Sequence, residues 1–156
     1  MASVTSALQH ARTRVADRMP AENQQDTLRE LGDERLQGIV ARYTSALERG
    51  DVDAMVALLA EDVTWSMPPW REWYRGVADV RAFLADKPMS QAWRHLPARA
   101  NGQLAVGCYM RDDDGVYRAY VIDVIELRGD RIASVTGFFL DPGRFAAFGL
   151  PTVMSL

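Results

Sequence analysis

Three polar side chains fall where apolar residues are expected, and each has a type that can do chemistry. Asp123 sits inside the run Val121-Ile122-Asp123-Val124-Ile125. A carboxyl in an apolar strand titrates high unless it is paired. That suits a general acid or base. It equally suits a pair with an arginine, a solvent-facing position or a contact with a partner subunit. Tyr43 lies on the apolar stripe Leu36, Ile39, Val40, Tyr43, Leu47. A tyrosine there buries its ring and sends its hydroxyl to a partner. His95 follows Trp93, with Arg94 and Arg99 close in sequence. It is either a structural histidine or a second proton-transfer group. The other histidine, His10, is distant in sequence, so no histidine pair suggests a metal.

The aromatic residues are concentrated in one stretch, GDVDAMVALLAEDVTWSMPPWREWYRG, residues 50–76. Three of the four tryptophans, Trp65, Trp70 and Trp73, fall within nine residues there, followed by Tyr74. This is either a core corner where helix meets sheet or the mouth of an apolar pocket. Ligand sites are mostly apolar with a few polar groups. The expected pocket is lined by Tyr43, Trp65, Met67, Trp70, Trp73, Tyr74 and Tyr120. Asp123 and His95 are the alternative catalytic candidates. No nucleophile elbow, Walker loop, dinucleotide glycine fingerprint or paired-cysteine zinc signature occurs. The acidic run Asp112-Asp113-Asp114 lacks calcium-loop spacing and reads as a turn. Cys108 is the single cysteine, so no internal disulfide forms, and it reads as a small buried hydrophobe. Neither a metal nor a cofactor is expected.

These residues need elements to hold them. The 156 residues are 48% hydrophobic, enough for one domain with a core plus an arm. A net charge of −3 argues against nucleic-acid binding by the whole chain. No run is long enough for a signal peptide or a membrane span, so a cytoplasmic location is expected. Val4, Leu8, Ala11, Val15 and Met19 predict a helical arm over 3–19, made basic by His10, Arg12, Arg14 and Arg18. Residues 20–33 read as linker or as a short helix through Leu28 and Leu31, broken at Gly32-Asp33. Helices are predicted over 34–49, 52–60 and 77–86, with a short strand over 63–67. The period then changes to two. Strands are predicted over 93–100, 104–111, 116–127 and 131–139, joined by hairpin turns at 112–115 and 128–130. A short helical turn over 144–148 follows. Helices first and a long antiparallel meander second make an α+β domain.

The motif G-D-(x)2-A-(x)2-A-L-(x)2-E-D-V, within GDVDAMVALLAEDVTW, and the GDRI of the last hairpin resemble the SnoaL-like branch of the nuclear-transport-factor-2-like superfamily. The resemblance covers residues 34–140. It implies a cone of three helices packed on a curved antiparallel sheet, with residues 33–156 forming the domain. Residues 1–32 would form the N-terminal helical arm and linker. The superfamily includes ketosteroid isomerases, polyketide cyclases, limonene-epoxide hydrolases and binding domains without catalysis. Laid on this chain without gaps from Ala41 to Pro68, the isomerase pattern puts Tyr43 at the oxyanion tyrosine. It puts Met67 at the catalytic aspartate. Its second acid falls on Tyr120, with Asp123 just beyond.

Both ends resemble a different group. SVTSALQHARTRV is similar to the last part of the promoter-reading helix-turn-helix of extracytoplasmic-function sigma factors. FFLDPGRFAAFGLP, ARANGQLAVGCYM and WYRG resemble actinobacterial sigma factors of the SigG type, which carry a SnoaL-like domain. The resemblance implies a fragment or free-standing descendant of such a factor, acting in transcription initiation. The partners it implies are RNA polymerase and the sigma regions, with a small apolar ligand for the pocket. A homodimer is allowed, and little DNA binding is expected from this chain alone. The alternative is a stand-alone enzyme of the cyclase, isomerase or epoxide hydrolase type. The expectation leans away from an enzyme. A thioether at Met67 has no useful basicity, and strand alternation puts Asp123 on the face opposite Tyr120.

Overall fold

A computed structural model describes residues 23–154. The arm expected over 3–19 lies outside the described residues. Asn23 caps the first helix, α1 (Gln24–Arg49), its side chain accepting from Gln25 N at 3.0 Å. Gly32, at φ 72° and ψ 161°, interrupts it. The result is a short helical piece through Leu28 followed by the main helix. The predicted stripe Leu36, Ile39, Val40, Tyr43 and Leu47 is buried along the main piece. Gly50 adopts the left-handed conformation (φ 63°) and ends it. Asp51 then caps α2 (Val52–Val56), accepting from Ala54 N at 2.9 Å.

The helix predicted to reach residue 60 stops at Val56. Leu58 and Leu59 are buried, as the helical spacing requires, but Leu58 lies in the turn after α2 and Leu59 opens the following strand. The N–H of Ile132 donates to the Leu58 carbonyl at 2.9 Å, and Leu59 pairs with Ile132. Tertiary pairing thus overrides a helical pattern only five residues long. Strand β1 (Leu59–Ser66) is correspondingly longer than predicted, and carries Glu61 and Asp62 exposed within it. The short strand β2 (Trp73–Arg75), which no sequence signal announced, pairs antiparallel with β1.

Helix α3 (Val77–Asp86) has the predicted bounds. The meander follows as β3 (Trp93–Ala100), β4 (Gln103–Arg111), β5 (Tyr117–Arg128) and β6 (Arg131–Phe139). The sheet order is β2-β1-β6-β5-β4-β3, with β1 and β6 parallel and the other neighbours antiparallel. A two-residue strand, β7 (Val153–Met154), adds to β5. Three helices on a curved, open and mostly antiparallel sheet make the α+β architecture expected. One face of the sheet packs on α1 to α3 through Val106, Cys108, Val121 and Ile125. The other carries Ala105, Tyr109 and Ile122 under Phe145 and Leu150, which the 3-10 segment Pro142–Phe148 and the residues after it supply. No helix among the described residues is long and apolar enough to cross a membrane.

A bulge in β5 corrects one expectation. Cys108 pairs with Val121, but the next pair is Tyr109 with Ala119, so Tyr120 is an extra residue in the ladder. A bulge of this kind turns two consecutive residues toward one face. Tyr120, Val121 and Asp123 therefore all face the helices, where strict alternation would have separated Tyr120 from Asp123.

Candidate ligand site

Between α1, α3 and the sheet lies a cavity of about 620 Å³. Trp65 and Met67 reach it from β1 and its end, Phe83 from α3, Trp93 from β3 and Phe139 from β6. Trp70 stacks on Phe139 with ring centroids 4.7 Å apart, and Tyr74 stacks on Phe83 at 4.4 Å. The aromatic walls are thus assembled from residues distant in sequence. The rim carries Glu72, Asp86, Lys87 and Gln91.

Asp123 is the polar group inside. The hydroxyl of Tyr43 donates to its Oδ2 at 2.8 Å, and the thiol of Cys108 donates to the same oxygen at 3.3 Å. No arginine pairs with it among the described residues, and it faces neither bulk solvent nor a surface. Burial pushes its carboxyl above the usual range, opposed by the bonds from Tyr43 and Cys108. Burial, reinforced by the neighbouring carboxyl, also raises Tyr43 and Cys108 well above their ordinary values. At neutral pH both remain donors. Opposite Asp123 on β6 stands Gly137. A Cβ there would lie 3.1 Å from Asp123 Oδ1 and 3.6 Å from Met67 Cγ, so the glycine leaves room for the carboxyl.

The remaining candidates separate into three positions. Trp65, Met67, Trp70, Tyr74 and Tyr120 line the cavity together with Asp123 and His95. Tyr43 does not line it; the ring is fully buried behind Asp123 and stacks on Trp65 at 6.3 Å. Trp73 also stays outside the lining and is 56% exposed. His95 is held by Glu48, which accepts from its backbone N–H at 2.9 Å and lies 3.3 Å from Nδ1. Burial lowers the imidazole to about 4, although Glu48 pulls the other way, so His95 is neutral at pH 7.

Cys108 and Glu48 escaped the sequence reading as site residues. The signal for Cys108 was present in the alternation Leu104, Val106, Cys108, which puts it on the same face as the helix contacts. Nothing local marks Glu48, because its partner lies 47 residues away. Among the described residues no group of three or more histidine, cysteine or acidic side chains is placed to hold a metal ion.

A family model described as a SnoaL-like domain matches residues 40–135. The chain belongs to the SnoaL-like domain family. Similarity to one curated relative runs further along the chain. The extracytoplasmic-function RNA polymerase sigma factor SigG of Mycobacterium tuberculosis (strain CDC 1551 / Oshkosh) is 32% identical over 152 residues, 96% of this chain. The chain spans 40% of that relative's length. Among solved structures, a nuclear-transport-factor-2-like protein from Burkholderia xenovorans LB400 superposes with a TM-score of 0.62 at 18% identity. That match covers 72% of this chain and 88% of the other. The epoxide hydrolase/cyclase-like enzyme SalBIII, from pyran ring formation in salinomycin, gives a TM-score of 0.54 at 25% identity. It covers 69% of this chain and 91% of the other. SnoaL-like folds thus serve proteins of different kinds, and what this one does rests on its own site.

Proposed function

We propose that this chain is the SnoaL-like regulatory domain of an extracytoplasmic-function sigma factor, working in the cytoplasm on transcription initiation. The observation that carries this is the extent of the SigG similarity. It covers 96% of the chain, well beyond residues 40–135 that the SnoaL-like family accounts for. The domain's partners are then RNA polymerase and the sigma regions. Its cavity receives a small, largely apolar molecule through which the domain tunes polymerase binding or promoter opening. The residues ahead of Asn23 form the arm, the domain takes in the helical piece from Gln24 onward, and the chain alone binds DNA little. The test is run-off transcription with core polymerase and the polymerase- and promoter-binding regions, with and without residues 23–156. A severalfold change in transcript supports the reading. Equal yields with the domain attached, added separately or omitted would sink it.

One observation favours a second reading, an enzyme of the cyclase, isomerase or epoxide hydrolase type. Asp123 turns into the cavity beside Met67, and both lie close to Gly137. A buried carboxyl with a raised pKa is suited to moving a proton near neutral pH. Against it, Tyr43 spends its hydroxyl on Asp123 rather than presenting it to the cavity. An isomerisation assay on a model enone steroid decides. Turnover by the wild type that Asp123→Asn abolishes would establish the enzyme.

A further inference from the structure

We propose that the cavity recognises an organic cation, an apolar amine or quaternary ammonium group, seated between its aromatic walls and Asp123. The inference rests on the reading of the cavity as a ligand site and names the chemical class of the ligand. Three observations carry it. First, Asp123 turns toward the cavity an oxygen without a protein donor among the described residues. Tyr43 and Cys108 both donate to Oδ2, while Oδ1 receives no hydrogen bond from the described residues. Second, the surroundings lack a cation for it. His95 is neutral, and Arg94 is turned outward onto Glu48 and the Tyr117 ring. Lys87 lies at the rim, where Glu72 and Asp86 outnumber it, and none of the three makes an ion pair among the described residues. Third, the walls are aromatic: Trp65, Trp70, Trp93, Tyr120 and Phe139 line the cavity.

Aromatic faces attract cations through the negative centre of the ring, most strongly when water is excluded. A buried carboxyl without a counterion gains from a cation placed at its free oxygen, which restores the charged form that burial disfavours. A neutral ligand that accepts a hydrogen bond would use the same oxygen, but it gains nothing from the acidic rim or from the rings' electrostatics. The cation satisfies carboxyl, walls and rim together.

The experiment compares benzyltrimethylammonium with neopentylbenzene, its neutral isostere with carbon in place of nitrogen. Quenching of the tryptophans lining the cavity reports binding. The expected result is at least about tenfold tighter binding of the cation, a preference that Asp123→Asn removes. Thermal melts establish that the variant is folded, and Asp123→Ser replaces it if it is not. Equal or tighter binding of the neutral isostere overturns the inference and leaves the ligand-site reading standing. A cation preference that survives in the folded Asp123 variant also overturns it. Binding of neither probe removes both.

Discussion

Tyr43 and Asp123 are 80 positions apart and share a buried 2.8 Å hydrogen bond. Removing one partner of such a bond leaves the other short of a donor, which typically costs about 1–3 kcal/mol. Tyr43→Phe is expected to cost about 1–2 kcal/mol, near the low end, because Cys108 still donates to Asp123. Urea unfolding measures it. In an Asp123→Ala background the same substitution should cost much less, and equal costs in the two backgrounds would mean that the bond contributes nothing. Gly137→Ala puts a methyl 3.1 Å from Asp123 Oδ1. It should leave the sheet paired but weaken cation binding severalfold, read by the same tryptophan quenching. Unchanged affinity would show that Oδ1 does not face the ligand.

At the level of elements, the helical piece ahead of Gly32 belongs energetically to the sheet. Leu28 is buried in the core, and Gln24 Oε1 accepts from the N–H of Leu127 at 2.8 Å, where the β5–β6 ladder is irregular. Starting the chain at residue 33 would expose that apolar contact and orphan the N–H. The expected loss is about 3 kcal/mol from burying Leu28 and satisfying Leu127 together. Comparing midpoints for chains starting at 23 and 33 checks it, and equal midpoints would contradict the packing. The long elements were legible in the sequence because each follows one period. The stripe of α1, the bounds of α3 and the four strands of the meander all came from spacing alone. Where a pattern is short the reading failed. Leu58 and Leu59 fit a helix by their spacing from Met55, but contact with Ile132 decides where that helix gives way. The site was legible as a list of residue types but not as an arrangement. The Tyr120 bulge leaves no mark in composition, yet it alone brings Tyr120 and Asp123 onto one face.

For the whole molecule, two buried groups pull the pH dependence of stability in opposite directions. His95 is lowered to about 4 by burial, against Glu48 and with Arg94. Between about pH 6.5 and 4 the unfolded chain therefore binds the extra proton. This stability is fully present above the unfolded value and is lost as pH falls toward 4, about 3 kcal/mol in all. Asp123 has its pKa raised by burial, with only the neutral groups Tyr43 and Cys108 bonded to it. Its folded form keeps the proton longer than the unfolded chain does, so this stability is present at low pH and fades as pH rises above about 4. The two slopes overlap, and the wild-type profile is their difference. Replacing one group should expose the other. Asp123→Asn should make stability rise more steeply from pH 4 to 6.5 and raise the melting temperature most at pH 7 and above. His95→Gln should leave a profile that declines with pH over the same window. Thermal melts at half-unit pH steps read both. If the Asp123→Asn curve runs parallel to the wild type throughout, the carboxyl titrates alike in the folded and unfolded states. The cavity would then hold an ordinary solvated aspartate, not the uncompensated one on which the cation proposal depends.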